Sequence, residues 1–128
     1  MIILDTHVWW WAISEPERLS AKAADLIRNT EKRYVASISL WEFAMMATRG
    51  RIDLAIPPYE WLRYAINEAG TKVLPLSADI ALDSCNLPGN FHKDPADRMI
   101  VATARVHHAQ LVTKDGKIRA YSHVHSVW

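Results

Sequence analysis

Short apolar runs alternate along the chain with longer stretches whose apolar positions recur at helical spacing. The apolar runs predict strands over residues 1–5, 33–37, 71–76 and 110–113, with a weaker one over residues 124–128. The first run shows no polar alternation from Met1 to Leu4, which is typical of a central strand covered on both faces.

The helical patterns fill the intervals between these runs. They predict helices over residues 20–30, 39–48, 57–69, 77–84 and 94–107. Strands that alternate with helices indicate βαβ units with right-handed crossovers. The chain is therefore predicted to be an α/β protein with a mostly parallel sheet.

Composition limits the class of protein. The chain has 128 residues, the size of one domain, and half of them are hydrophobic, enough for a core. Fifteen basic residues nearly balance fourteen acidic ones, so any contact with a polyanion has to come from a local patch. The single cysteine, Cys85, cannot form an internal disulfide, and no apolar stretch is long enough to span a bilayer. We expect one cytoplasmic domain over residues 1–128 that makes no membrane contact.

Four acidic residues follow the predicted strands or open the helices after them: Asp5, Glu42, Asp97 and Asp115. If the runs are parallel strands, all four lie at or just beyond the carboxyl edge of one sheet, where ligands bind in α/β proteins. Carboxylates in one pocket raise each other's pKa, so such a cluster at neutral pH calls for a divalent cation. Hard oxygen ligands without cysteine favour Mg²⁺ or Mn²⁺ over zinc.

Each acid also has a purely structural interpretation. Ser39 and Glu42 fit a capping box, in which the serine caps a helix and the glutamate reaches back to its amide. Asp94 fits an N-cap followed by Pro95, with Asp97 in the first turn. Asp115 precedes Gly116 as in a turn, and Asp5 fits a cap after the first strand. The interpretations are compatible, because a capping carboxylate can point its second oxygen into the crevice.

Several other functional motifs are absent. The chain has neither the GxGxxG dinucleotide signature nor the GxxxxGK[ST] phosphate loop, and no serine lies in a GxSxG elbow. No two histidines have the HExxH spacing of a zinc protease. We interpret the histidines near the end of the chain as surface or packing residues: His107, His108, His123 and His125.

Four segments in order resemble the motifs of a known family. They are LDTHV at residues 4–8, SISLWE at 37–42, HKDPADRMIVATA at 92–104 and LVTKD at 111–115. The chain resembles PIN-domain ribonucleases of the VapC type, the toxins of type II toxin–antitoxin modules, over nearly its whole length to the terminal Ser126–Trp128. Ala96 departs from the pattern, since relatives often carry a bulky aromatic there, which bears on packing more than on chemistry.

The resemblance implies a PIN-like fold of three layers, with a five-stranded parallel sheet of order 3-2-1-4-5. It implies a metal-dependent endoribonuclease in which Asp5 and Asp97 hold Mg²⁺ or Mn²⁺, while Glu42 and Asp115 act directly or through water. Asp94 would be an auxiliary acid and Thr113 a hydroxyl near the metal-bound water. Hydrolysis of single-stranded or looped RNA would leave a 5′-phosphate, and a homodimer and an antitoxin protein would be the expected partners.

The basic residues near these acids are candidate phosphate contacts, although a solvated charged face explains them equally well: Arg49, Arg51, Lys93, Arg98, Lys114 and Lys117. Trp9, Trp10 and Trp11 are consecutive and fan over about 200° of a helix, wider than one core-facing stripe. We expect at least one of the three to face outward or to meet another chain, with packing inside a mostly buried helix as the alternative.

Two other functions remain open from the sequence. A non-catalytic PIN-fold binding domain would lack metal binding, and the complete set of four acids counts against it. A phosphotransfer domain, such as a receiver or a haloacid-dehalogenase-like phosphatase, needs a second acid close to the first. Asp5 is followed by Thr6 and His7, which counts against that class.

Overall fold

The computed structural model describes all 128 residues. Its centre is a five-stranded sheet, and every strand pair is parallel. The strands are β1 (Ile2–Leu4), β2 (Arg33–Ala36), β3 (Thr71–Leu74), β4 (Gln110–Val112) and β5 (Ser126–Val127), in the spatial order β3-β2-β1-β4-β5. The predicted α/β class and the strand order implied by the resemblance are both confirmed.

Seven helices and a 3₁₀ turn at Pro16–Arg18 connect the strands. The helices are α1 (Thr6–Ser14), α2 (Ala21–Asn29), α3 (Ile38–Thr48), α4 (Pro58–Asn67), α5 (Ala78–Cys85), α6 (Pro95–Val106) and α7 (Gly116–Arg119). The sequence analysis did not predict the 3₁₀ turn or α7 as separate elements. None of the helices is long and apolar enough to cross a membrane.

The strands bury side chains on both faces, as the unalternating first run predicted. Ile2 and Leu4 pack into a cluster rich in aromatic residues, whereas Ile3 packs into a mainly aliphatic cluster on the other face. The first cluster includes residues of α1, α3 and α4, and the second includes residues of α5, α6 and α7. The sheet is thus the middle of three layers, and its carboxyl edge faces the starts of α1 and α6.

Of the two alternatives for the three consecutive tryptophans, the structure supports packing inside the protein. Trp9 is 0% exposed, and Trp10 and Trp11 are each 6% exposed. Trp9 packs edge-on against Phe43 and Trp61, with ring centroids 6.1 and 5.1 Å away. Trp11 packs against Trp128 at 6.0 Å. Helix α1 is covered on nearly every side, so packing inside the protein accounts for all three rings without a partner chain.

The predicted capping box is wrong. Helix α3 begins at Ile38 after Ser37, which places Ser39 inside the helix. The Ser39 side chain is fully buried, and its oxygen accepts a hydrogen bond of 2.9 Å from the Thr6 hydroxyl. A contact with the start of α1 therefore replaces the local cap.

Candidate metal centre

The carboxyl edge of the sheet opens into one pocket that receives all five predicted acids. Leu4 pairs with Val112 in register, so Asp5 and Thr113 are the first residues beyond the ends of two neighbouring strands. Nine residues line the pocket: Asp5, His7, Trp11, Arg18, Glu42, Asp94, Asp97, Lys114 and Asp115. Thr113 lies directly beneath it and contacts Asp5.

Asp5 is the most enclosed of the acids, at 7% exposure. As the N-cap of α1, it accepts the Thr6 amide on Oδ1 at 2.8 Å, while Oδ2 accepts the Thr113 hydroxyl at 2.6 Å. Burial raises the pKa of Asp5, and the bonds from Thr113 and Thr6 oppose that rise. Each carboxylate oxygen has one hydrogen bond and so retains a lone pair for a cation.

Glu42 lies in the second turn of α3, beside the start of α1. Burial raises its pKa, the side chain of Thr6 lowers it by hydrogen bonding, and the nearby Asp5 raises it further. The Thr6 hydroxyl has a single proton, so it donates to Glu42 only when the Ser39 hydroxyl donates to Thr6 in turn. This pair of hydroxyls supports the only glutamate of the pocket.

Asp94 and Asp97 occupy the first turn of α6 as predicted. Asp94 is the N-cap, Pro95 follows it, and Asp94 Oδ1 accepts the Asp97 amide at 3.1 Å. The pKa of Asp97 rises to about 7, first through burial and then through repulsion by four neighbouring carboxylates, led by Asp5. Much of Asp97 is therefore protonated at neutral pH unless a cation displaces the proton.

Asp115 and Thr113 follow strand β4 at the same edge of the sheet. Asp115 is the N-cap of α7, and its Oδ1 accepts the amides of Lys117 and Ile118 at 2.8 and 3.0 Å. The Thr113 hydroxyl accepts the Asp115 amide at 3.0 Å and donates to Asp5. Because its one proton is directed at Asp5, Thr113 orients a carboxylate in this structure. The place of Thr113 beside a metal-bound water, which the resemblance implied, stays a prediction.

Two histidines that the sequence analysis passed over stand at the site. His7 lines the pocket from the first turn of α1. His92 Nδ1 accepts the Asp94 amide at 3.2 Å, and its Nε2 lies 3.0 Å from Asp97 Oδ2. That distance allows an ion pair with a protonated imidazole, although the alignment does not make a hydrogen bond. Both histidines lie inside motifs that the sequence analysis quoted, His7 in residues 4–8 and His92 in residues 92–104, and that position could have identified them.

Some basic residues near the acids line the pocket, and others do not. Of the six predicted phosphate contacts, only Lys114 lines the pocket, and Arg18 lines it without having been predicted. Arg98 points elsewhere: it donates to the carbonyls of Ser84, Phe91 and His92 at 2.8, 3.1 and 3.1 Å. Arg98 therefore binds the backbone of the loop that carries His92, which leaves fewer of its donors for a phosphate.

The donor set suits a hard divalent cation better than zinc. The five acidic residues of the pocket offer carboxylate oxygens, and the single cysteine lies outside the pocket, so no thiolate is available. No three potential ligands lie close enough together to hold a metal ion by themselves. Mg²⁺ needs only one or two carboxylates because it keeps several waters, so this open arrangement fits it.

Comparisons with known proteins point to one family. Residues 2–124 match the family model described as the PIN domain. The chain is 40% identical over 122 residues to a protein of Mycobacterium tuberculosis (strain ATCC 25618 / H37Rv) named Ribonuclease VapC22, covering 95% of this chain and 92% of that relative.

Solved structures share the fold at lower identity. VapBC2 from Rickettsia felis, bound to a DNA fragment from its promoter, matches with a TM-score of 0.73 at 17% identity, covering 99% of this chain and 98% of that one. A toxin-antitoxin complex from Klebsiella pneumoniae matches with a TM-score of 0.71 at 18% identity, covering 100% and 97%. FitAcB from Neisseria gonorrhoeae matches with a TM-score of 0.67 at 20% identity, covering 100% and 97%.

Proposed function

The chain belongs to the PIN-domain family and is a homologue of VapC ribonucleases, and we propose that it is a metal-dependent endoribonuclease toxin of a type II toxin–antitoxin system. The observation that carries the proposal is the environment of Asp97. It stands in one pocket with four other carboxylates, and burial together with their charge raises its pKa to about 7. A group so placed either keeps a proton or binds a cation, and perturbed carboxylates in a cleft are typical of catalytic sites.

Asp5 and Asp97 would hold Mg²⁺ or Mn²⁺, with Glu42 and Asp115 ligating through water or orienting it. When bound, such a metal lowers the pKa of a water and offsets the negative charge on the scissile phosphate. The protein's part is to fix the ligands: Thr113 and the Thr6 amide hold the two oxygens of Asp5. Asp94 would act as an auxiliary charge and as the cap that orients Asp97.

The proposal extends to the compartment and the partners of the protein. Residues 1–128 would act as a single cytoplasmic domain, and the exposed, unpaired Cys85 suits a reducing compartment. The protein would form a homodimer and bind a cognate antitoxin. Expression of the chain alone should then arrest growth, and co-expression with the antitoxin encoded next to it should restore growth. Harmless expression at verified levels of folded protein would count against the toxin assignment.

The direct test is cleavage of single-stranded RNA by purified protein with Mg²⁺, with Mn²⁺ and with EDTA. We expect cleavage with either metal, none in EDTA, and a 5′-phosphate on the product. Matched Asp5→Asn and Asp97→Asn variants should be folded and inactive. Melting should show that metal stabilises the wild type by mass action, and the double variant much less. A wild type that neither cleaves nor is stabilised by metal would favour a non-catalytic PIN-fold binding domain.

A further inference from the structure

Two permanent cations face the carboxylates in the candidate metal centre. Five of its nine lining residues are acidic, and Arg18 and Lys114 are the only arginine or lysine among them. A nucleic acid that approaches this pocket is repelled by the acids, and the net charge of the chain, +1, provides little compensating attraction. The two cations are therefore the groups best placed to attract its backbone.

Both cations lie over the ring of Trp11, and the guanidinium carbon of Arg18 also lies 5.8 Å from the ring centroid of Trp10. The guanidinium carbon of Arg18 lies 4.7 Å from the centroid of Trp11, and the Lys114 nitrogen lies 5.8 Å from it. Trp11 is itself fixed in the core, because it is 6% exposed and packs against Trp128. Cations within about 6 Å of a tryptophan ring are attracted to its face. The ring thus positions two side chains that are distant in sequence.

The hydrogen-bonding capacity of these cations is largely unused. One guanidinium nitrogen of Arg18 donates to Glu15 at 2.9 Å, and an arginine has five N–H donors in all. Lys114 takes part in none of the four salt bridges of the structure. Arg98 and Arg105, by contrast, use their donors on carbonyls and on Asp83. Free donors on a rigid support are the feature that a phosphate site requires.

We propose that Arg18 and Lys114, held around Trp11, form a subsite for a backbone phosphate of the substrate beside the bond that is cleaved. The inference rests on the proposed function, and it names the positioning residues of that same site. The subsite defines one side from which the RNA strand reaches the carboxylates. Because it touches phosphate and not a base, it contributes affinity and register without sequence preference.

The test compares Arg18→Gln and Lys114→Gln with matched controls outside the pocket. Arg28 forms the same type of i,i+3 ion pair as Arg18, at 2.8 Å from Asp25, so Arg28→Gln controls for loss of a surface charge. Lys22 is an exposed lysine on α2, and Lys22→Gln is the control for Lys114. Binding of a fluorescein-labelled single-stranded RNA would be measured in EDTA over a range of salt concentrations. Cleavage would be measured with Mg²⁺.

Each pocket variant should weaken binding and lower the slope of log affinity against log salt by about 0.7, the value for one lost phosphate contact on a single strand. KM should rise while kcat changes little, and Arg18→Lys should recover part of the loss. If Arg18→Gln does not fold, Lys114→Gln and Arg18→Lys decide the matter. Both controls should leave binding and cleavage at the wild-type level.

Two outcomes separate the inference from the proposed function. A wild type that cleaves RNA, with pocket variants no different from Arg28→Gln and Lys22→Gln in salt slope and KM, overturns the subsite alone. A wild type that neither binds nor cleaves RNA overturns the proposed function, and the subsite falls with it.

Discussion

A partly buried aspartate lies at each end of helix α6: Asp97 in its first turn, and Asp83 of α5 beside its last turn. The charges around these two aspartates are opposite in sign. At the first turn, Asp97 is surrounded by other carboxylates, and its pKa is raised to about 7. In the last turn, Arg105 donates to both carboxylate oxygens of Asp83, at 2.8 and 3.3 Å. The two aspartate side chains are almost equally exposed, at 20% and 23%.

A partly buried carboxylate is stabilised in its charged form by a nearby positive charge. Asp83 has its counter-charge within the chain, and this ion pair in turn raises the pKa of Arg105. Asp97 has only His92 close by, at 3.0 Å, and that imidazole is a cation only when protonated. The aspartate at the last turn of α6 is therefore neutralised by an arginine of the chain, whereas an added cation would stabilise the charged form of the aspartate at the first turn. The ion pair at the last turn serves the stability of the fold, and the acids at the first turn serve the proposed activity.

Neutralising each aspartate in turn should have the largest and most unequal effects on RNA cleavage. Asp97→Asn should reduce RNA cleavage by about 1,000-fold or more, because it removes a carboxylate that would hold the metal, and losing even one electrostatic group of an active site costs about 100- to 1,000-fold. Asp83→Asn should leave cleavage near the wild-type rate, because the Arg105 pair lies at the other end of the helix. Initial rates with Mg²⁺ measure both, with melting curves to verify folding. A comparable loss in Asp83→Asn would show that the ends are not functionally separate.

The pH dependence of stability should separate the ends next. Asp97 has a folded-state pKa of about 7 against an ordinary value of 3.8, so between these values the folded state binds more protons than the unfolded state. Without metal, the free energy of unfolding should therefore fall as pH rises from about 4 to about 7. The raised pKa values of Asp5 and Glu42 act in the same direction.

The loss attributable to Asp97 is at most about 4 kcal/mol above pH 7, at about 1.36 kcal/mol per pKa unit. Urea unfolding in EDTA at pH 5 and pH 8 measures it. Asp97→Asn mimics the protonated acid, so it should be more stable than the wild type at pH 8 and less sensitive to pH. Excess Mg²⁺ should replace the proton and flatten the wild-type curve. A wild type that gains stability from pH 5 to pH 8 in EDTA would contradict the account.

At the other end, Asp83→Ala should cost about 1 to 2 kcal/mol of stability. The substitution leaves the Arg105 guanidinium with only the His123 carbonyl as acceptor, at 2.7 Å. The pair is bidentate but partly solvated, so high salt should weaken its contribution. Urea unfolding at pH 7 measures the loss, with the exposed Asp25→Ala as a control for a surface ion pair. No change relative to Asp25→Ala would mean that the Arg105 pair adds no stability.

The sequence predicted the parts of this arrangement that depend on strand order. Acids that follow parallel strands must reach the same edge of the sheet, so Asp5, Glu42 and Asp115 could be assigned to one pocket. Asp94 and Asp97 followed from the local rules for helix starts. None of these inferences required knowledge of how the loops run.

The errors arose where tertiary contacts overrode local patterns. Ser39 matches the capping-box spacing, but it lies inside α3, where its side chain bonds the Thr6 hydroxyl and caps no helix. The tryptophans of α1 span too wide an arc for one core stripe, yet Phe43, Trp61 and Trp128 cover the helix from several sides. Arg18 reaches the pocket through a 3₁₀ turn that no periodicity predicts. Such contacts depend on the path of the chain between elements.

The smallest expected effect separates charge from capping within the first turn of α6. Asp94→Ala removes the acceptor of the Asp97 amide and should cost about 1 kcal/mol of stability. Asp94→Asn keeps an acceptor there but removes a charge that raises the pKa of Asp97, so in EDTA at pH 8 it should match or exceed the wild type in stability. Both variants should retain far more RNA cleavage than Asp97→Asn. If Asp94→Ala abolishes cleavage while Asp97→Ala does not, the catalytic and capping roles of these two aspartates are reversed, and the end of α6 that needs a cation is centred on Asp94.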